Sequence, residues 1–536
     1  MLVSMLRRLV TRVGDEGCSV LQLARAGLLR PVSPVQLAAI LGAVRDYGEL
    51  GAAVTLAAVR HRNTVGLIDE RGALTFGDLD ARSNAVANEW RRAGLQPGST
   101  VAILARNHRG LLDALFAGTK TGARVVLLNT DFGRTQISDV IVREGADLLV
   151  YDEEYADAVA DVDVRHGCVR AWADRPGSDT LDEQIRRGDP SPPPAPGVKP
   201  SIVILTSGTT GTPKGASRSV PRSLLPLAGL LDKAPFRTGE VTVCCAPMFH
   251  SLGFGHLMIA MILGSTLVVR RRFDPEWALE SVARHRASAL IVVPIMLRRI
   301  LDLGPQARMD SALRIIFVAG SQLGAELCTR ALEAFGPVVY NLYGSTEVAY
   351  GTVATPEDLA QEHGCVGRLV RGAVVKIFDD DGHQVPTGTT GRIFVGNSMQ
   401  FEGYTGGGTK ETIRGLMSSG DVGHFDSAGR LFIDGRDDEM IVSGGENVFP
   451  GEVEDVLASH PDVLDAAVIG APDDEYGQRL RGFVVVRSGA SVSEQDVKDY
   501  VKSRLARFKV PRDVVFVDEL PRNPTGKVVK RLLDAE

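Results

Sequence analysis

Apolar and polar positions between residues 66 and 130 switch between the periods of strand and helix. Leu74, Thr75 and Phe76 read as a short strand, and a helical period runs from Leu79 to Trp90. Residues 101–104 (VAIL) and 125–128 (VVLL) are apolar runs of strand length. Such alternation predicts crossover units on a parallel sheet. The rhythm resumes with strands at 241–246 and 266–269, then a helix capped by Asp274 with Pro275 in its first turn. Strands at 289–293 and 313–319, a helix at 324–335 and a strand at 338–342 ending in a glycine-containing loop follow. Ligands tend to bind at strand ends of this kind. Past Gly435 the units shorten, with helices at 452–458 and 493–506 and strands at 466–470 and 482–486. The pattern predicts an α/β protein of three parts: an N-terminal helical extension (1–55), a large multi-layered domain with mainly parallel sheets (56–435) and a small α+β C-terminal domain (436–536). Residues 189–200, DPSPPPAPGVKP, are too proline-rich for a helix or a central strand and read as a stiff surface connection.

The chain begins MLVSMLRRLVTRV, with Leu2, Met5, Leu6, Leu9 and Val13 on one helical face and Arg7, Arg8 and Arg12 elsewhere. Two readings of this stripe stay open. It packs on its own domain or on a sister subunit, as in a homo-oligomer, or it rests on a membrane surface. It lacks the unbroken apolar region of a signal peptide, and the stretch 257–269 is broken by Gly264, Ser265 and Thr266 and too short to span a membrane.

Composition narrows the class. A chain of 536 residues exceeds what one hydrophobic core usually serves, and 44% hydrophobic with 24% charged residues describes a globular protein. The net charge of −6 offers no basic face for nucleic acid, which leaves small molecules as the expected partners. Cys18, Cys168, Cys244, Cys245, Cys328 and Cys365 form no C-x-x-C pair, and the adjacent Cys244 and Cys245 are unsuited to an ordinary disulfide. A cytoplasmic location is expected, with membrane-peripheral contact left to the N-terminal helix.

The richest segment follows the apolar strand at 202–205. TSGTTGTPKG, residues 206–215, combines hydroxyl side chains, three glycines and one lysine in a donor-rich loop suited to phosphate oxygens. It is not a Walker loop, because Lys214 is followed by Gly215 and Ala216. Four more strings stand out: PMFH at 247–250, YGSTE at 343–347, SSGD at 418–421 with Gly435 and Arg436 beyond it, and PRNPTGK at 521–527.

Together and in this order, these strings resemble the signature motifs of the adenylate-forming superfamily, which includes acyl-CoA synthetases, luciferases and peptide-synthetase adenylation domains. Bacterial fatty acyl-CoA synthetases are the nearest members by this reading. The resemblance covers residues from about Gly66 to Lys530. It implies that Thr206, Lys214, His250, Glu347 and Lys527 serve catalysis and that Ser207, Gly208, Thr209, Thr210 and Gly211 grip ATP. Gly320, Tyr343, Gly344, Ser345 and Thr346 complete the adenine and phosphate contacts, Asp421 and Arg436 reach the ribose, and Glu347 binds Mg²⁺. Asp438 takes the position of the family's hinge, so the small domain is expected to be mobile, and Ser443, Gly444 and Gly445 line the tunnel for CoA. The chain departs from the family pattern at Leu416-Met417, where a tryptophan is frequent, at Ser419 in place of threonine, and at Gly406-Gly407-Gly408.

The implied reaction uses ATP, Mg²⁺, CoA and a carboxylic acid. Carboxylate attacks the α-phosphate, pyrophosphate leaves, and a thiol then displaces AMP from the acyl-adenylate. The wall after His250, residues 251–261, carries no acidic side chain to pair a substrate ammonium, which favours an apolar, fatty acyl chain. Loading of a carrier-protein thiol is the alternative within this chemistry. A non-catalytic nucleotide- or lipid-binding protein is the alternative outside it.

Overall fold

The computed structural model describes residues 16–175, 177–206, 214–218, 223, 225–304, 312–443, 446–473, 477–523 and 526–533. The apolar stripe at residues 2–13 lies outside them. Among the described residues no helix is long and apolar enough to cross a membrane.

Helices start where side chains close the first turn. Ser33 accepts from the Gln36 amide while Gln36 accepts from Ser33 N, and Pro34 opens the helix Pro34–His61. Thr75 and Asp78 form the same reciprocal cap on Phe76–Arg92. Asp274 caps Pro275–Arg284 through the Trp277 amide, as its sequence suggests. The strand expected at 74–76 is corrected by the Thr75 cap: Gly72–Thr75 is the strand, and Phe76 opens the helix.

Two sheets are mainly parallel. In the nine-stranded sheet Val339–Tyr343, Ile315–Val318, Ala289–Val292, Val241–Cys244, Thr266–Val268 and Val65–Asp69 run parallel in that spatial order, with antiparallel strands at both edges. In the seven-stranded sheet Ser201–Thr206, Arg124–Leu127, Thr100–Leu104, Leu148–Asp152 and Cys168–Trp172 are parallel. Lys214–Arg218 and Gly403–Tyr404 extend it antiparallel. The alternation at 66–130 is therefore shared between two sheets. A third, antiparallel sheet is built from Val374–Phe378, Gly391–Gly396, Leu416–Phe425, Leu431–Arg436 and Thr412–Ile413.

Beyond Arg436 a small α+β unit pairs Val463–Asp473 with Gly477–Val486 and packs helix Pro450–Ala458 on them. Its second helix is Glu494–Lys502, shorter than expected, and the chain leaves it through a turn at Arg507–Lys509. The expected boundary at 55/56 falls inside Pro34–His61, whose Ala52, Ala53, Val54, Ala57 and Ala58 are buried. The run is broken at Gly48, its first part is largely exposed, and the segment beyond the break joins the large unit's core, the whole packing on Phe76–Arg92, Arg109–Lys120 and Ser251–Leu263. The proline-rich connection is tied down through its carbonyls, which accept from Tyr47, Asn84, Asn88 and Arg91.

One interior charge fixes how two of these helices meet. The Lys120 ammonium is fully buried and donates to Asp80 Oδ1 at 2.7 Å, Ser83 Oγ at 2.9 Å and Asn84 Oδ1 at 2.7 Å. The Asp80 carbonyl is a further, longer contact at 3.3 Å. Removing the lysine leaves the partly buried Asp80 carboxylate with only the Thr55 hydroxyl and takes the donor from Asn84 Oδ1. Lys120→Met is expected to lower unfolding free energy by about 3 kcal/mol, read as a lower urea midpoint at unchanged slope.

Candidate active site

Three parallel strands of the nine-stranded sheet send loops to one edge. Residues 246–250 follow Val241–Cys244, Gly320 follows Ile315–Val318, and Gly344 opens the loop after Val339–Tyr343. Gly320 has φ +103°, where side chains other than glycine are strained, and a Cβ on Gly344 would lie 2.1 Å from the Ala349 carbonyl oxygen. From the other parallel sheet, Thr206 ends its strand opposite Lys214. Ser207, Gly208, Thr209, Thr210 and Gly211 lie outside the described residues, as do Gly444 and Gly445 of the expected CoA tunnel. Ser443 is half-buried, and its backbone pairs with Gly477.

The strand Thr100–Leu104 leads to a residue that sequence reasoning missed. Buried Asn107 donates from Nδ2 to the Ala246 carbonyl at 2.9 Å and accepts at Oδ1 from the Met248 amide at 2.7 Å. This one carboxamide joins the ends of both parallel sheets and fixes the turn carrying Pro247, Phe249 and His250. A Cβ on Gly253 would lie 2.3 Å from Pro247 O, so the helix Ser251–Leu263 sits directly on that turn. The His250 ring lies 4.6 Å from the Phe249 ring at a tilt of 50°, and its Nε2 is buried with no hydrogen-bond partner among the described residues. Burial pushes the His250 pKa down to about 4. His256 is buried between Phe236 and Phe317, and burial likewise takes it to about 4. The partners of Asn107 stand far along the chain, so no local pattern marks it.

Ser345 Oγ donates to Glu347 Oε2 at 2.9 Å and accepts from the Glu347 and Val348 amides. Tyr404, also missed, donates its hydroxyl to Glu347 Oε1 at 2.8 Å. The Lys214 ammonium lies 5.2 Å from the centre of the Tyr404 ring. Ser251 Oγ donates to Thr346 Oγ1 at 3.3 Å, joining the first residue of the Ser251–Leu263 helix to the same loop. The Tyr343 hydroxyl donates to Asp421 Oδ2 at 2.6 Å, and Arg436 reaches Asp421 Oδ1 at 3.2 Å.

Arg436 also forks onto Asp438, with contacts of 3.0 and 3.3 Å. Burial raises the Asp438 pKa, but Arg436 and the nearby charge of Lys527 outweigh it and hold the carboxyl below its ordinary value. Lys527 is half-exposed, with its ammonium 3.9 Å from Glu439 Oε1. The backbone before it is wedged against the large unit, because a Cβ on Gly526 would lie 2.0 Å from Ile295 Cγ2. Val293 borders both Gly526 and Gly320. The two units also touch where Gln322 donates to Asp455 and Arg298 to the Leu464 carbonyl.

A divalent cation fits this arrangement only in one form. Among the described residues no group of three His, Cys, Asp or Glu could cage a metal. Glu347 offers one carboxylate oriented by two hydroxyls. Such a donor set suits Mg²⁺, which keeps its waters and takes phosphate oxygens when few protein ligands are present.

Residues 54–405 match the family model described as AMP-binding enzyme, and residues 452–527 match its C-terminal domain. The chain belongs to the AMP-binding enzyme family. Feruloyl-CoA synthase of an Amycolatopsis species is 32% identical over 481 residues, covering 88% of this chain and 94% of that protein. A fatty acid–[acyl-carrier-protein] ligase of Streptomyces coeruleorubidus is 31% identical, covering 88% of this chain and 93% of that one. Among solved structures, o-succinylbenzoate CoA synthetase of Bacillus subtilis with its acyl-adenylate intermediate superposes with a TM-score of 0.80 at 26% identity, covering 90% of this chain and 97% of that one. In this AMP-binding enzyme the larger matched span carries Thr206, Lys214, His250, Glu347 and Tyr404, and the smaller one ends at Lys527. Asp421, Arg436 and Asp438 fall between the two.

The two buried histidines make stability depend on pH. Their folded pKa of about 4 lies below the ordinary 6.5, so the stability they contribute is complete above pH 6.5 and is lost as pH falls towards 4. Urea unfolding is expected to give lower stability at pH 5 than at pH 7, with the difference smaller in His256→Phe.

Proposed function

We propose that this AMP-binding enzyme is an acid–CoA ligase that activates an apolar, fatty acid through an acyl-adenylate. One observation supports this most: motifs far apart in the chain meet around a single cluster. Lys214 reaches Glu347 through Tyr404, Tyr343 reaches Asp421, and Arg436 joins Asp421 to Asp438. In this reading a carboxylate oxygen attacks the α-phosphorus of ATP and expels pyrophosphate, and a thiolate then attacks the acyl carbon and expels AMP. No protein nucleophile is needed, so positioning and charge neutralisation dominate. Lys214 and the hydroxyls of the 206–212 segment hold the phosphates, Thr346 takes an α-phosphate oxygen, and Lys527 neutralises the approach of carboxylate to phosphate. Glu347 would hold Mg²⁺, which neutralises phosphate charge when bound. Asp421 accepts from ribose hydroxyls and Arg436 supports it, while Tyr343 and Gly320 flank the adenine.

An apolar acid is favoured by the surroundings of His250. Leu252, Phe254, Met258 and Ile259 on the helix that His250 opens are apolar or aromatic and only partly buried. The relatives act on feruloyl, fatty and o-succinylbenzoyl groups by name. A carrier-protein thiol is the second acceptor, favoured by the relative that is named for that acceptor. The test is pyrophosphate release against acids of graded chain length and aromatic acids, with CoA or a carrier protein added. Turnover that rises with apolar chain length and requires CoA supports the proposal. A preference for aromatic acids would overturn the fatty assignment, and turnover only with carrier protein would overturn the CoA assignment.

We further propose residues 436–536 as the mobile unit, with Asp438 as its hinge and Ser443, Gly444 and Gly445 lining the thiol's approach. In the arrangement described, Arg436 pins Asp438, and that grip has to release for the second step. Proline fixes φ near −65° and would permit one hinge state at most. Asp438→Pro is therefore expected to keep adenylate formation in a single turnover and to lose at least about 10-fold in CoA-dependent decay of preformed acyl-adenylate.

A further inference from the structure

We infer that Tyr404 is a positioning residue that couples the phosphate-gripping hairpin to the metal-binding carboxylate, so that neither is set independently of the other. The inference rests on the role proposed for Glu347. Tyr404 meets three parts of the site at once. Its backbone is in the edge strand Gly403–Tyr404, which pairs antiparallel with Lys214–Arg218 at Tyr404 opposite Ala216. The next residue continues the seam, since Thr405 N donates to Gly215 O at 2.9 Å and Thr405 Oγ1 to Glu144 Oε1 at 2.7 Å. Its ring lies beneath Lys214 at 5.2 Å and edge-on to Phe401 at 4.8 Å between ring centres. Its hydroxyl holds Glu347 Oε1 at 2.8 Å. Phe401 N donates to the Glu347 carbonyl at 2.8 Å, so the segment grips both backbone and side chain of the glutamate.

The physical consequence follows from what a carboxylate needs. An ionised Glu347 has several rotamers open to it, and with only Ser345 holding Oε2 it could swing about that bond. A second donor on Oε1 fixes the plane of the carboxylate while leaving lone pairs for a cation. Because that donor is carried on the strand paired with the Lys214 strand, a shift of the hairpin on gripping phosphates is transmitted to the metal ligand. The plain alternative is that Tyr404 only packs against Phe401 and its neighbours.

Tyr404→Phe separates the two, because it keeps the ring, the strand pairing and the packing and removes only the hydroxyl. Mn²⁺ affinity of the enzyme–ATP complex, measured by electron paramagnetic resonance, is expected to fall about 10-fold, with the thermal midpoint of the free protein unchanged. In a Glu347→Gln background the same substitution is expected to add less than about 2-fold, because Tyr404 acts through the carboxylate. Unchanged Mn²⁺ affinity in Tyr404→Phe, beside a clear loss in Glu347→Gln, would overturn the coupling alone. Equal and additive losses in both backgrounds would also overturn it. Unchanged affinity in Glu347→Gln itself would overturn the role of Glu347 and this inference with it.

Discussion

Two hydrogen bonds from one buried carboxamide set the relation between the two parallel sheets at the edge where the candidate site lies. Asn107 leaves the seven-stranded sheet and takes the Ala246 carbonyl and Met248 amide of the nine-stranded one. Without Asn107 the buried Met248 amide would lose its partner and the Ala246 carbonyl would keep only the weak Cys244 thiol donor, so the sheets hold one relative position. The turn carrying His250 and the helix Ser251–Leu263 inherit it, and Ser251 passes it on to Thr346. A cleft whose walls come from two sheets requires such a join, because either sheet alone would present only half of the groups.

Around that join, burial sorts the charges. Interior ions are paired at close range: Asp69 with Arg109, Asp113 with Arg82, and Lys120 with Asp80. The candidate site follows a looser rule. Glu347 is held by hydroxyls that leave it able to take a cation, and Lys527 stands half-exposed at 3.9 Å from Glu439. Charges that must meet a ligand's charges cannot be spent on strong internal pairs, and their partial exposure lowers the cost of waiting for it. Arg436 lies between these regimes, joining Asp421 at the proposed ribose position to Asp438 at the proposed hinge. In the proposed scheme, nucleotide occupancy and the freedom of the small unit therefore share one guanidinium.

The sequence by itself determined the class of fold and the kinds of group in the site. Period-2 and period-3.6 patterns located most strands and helices because those periods follow from local backbone geometry. Caps such as Asp274 were legible because an N-cap acts within three residues. The YGSTE string stood out because glycine and hydroxyl residues are concentrated in a few consecutive positions, and folding joins its Ser345 to Glu347. What failed locally failed for a local reason at Phe76, where a capping box by Thr75 and Asp78 overrode a strand-like run.

Only the tertiary structure decided the rest. It divided the alternation at 66–130 between two sheets, because strand partners are chosen by packing across the chain and Val65–Asp69 pairs with Thr266–Val268. It drew the alanine-rich part of Pro34–His61 beyond the break at Gly48 into the large unit's core, where small side chains let it approach other helices closely. It also supplied Asn107 and Tyr404, whose importance lies wholly in what they touch. An asparagine after a strand and a tyrosine before three glycines carry no periodic or motif signal. Their hydrogen bonds to Ala246, Met248 and Glu347 exist because folding brings together positions that the chain keeps far apart.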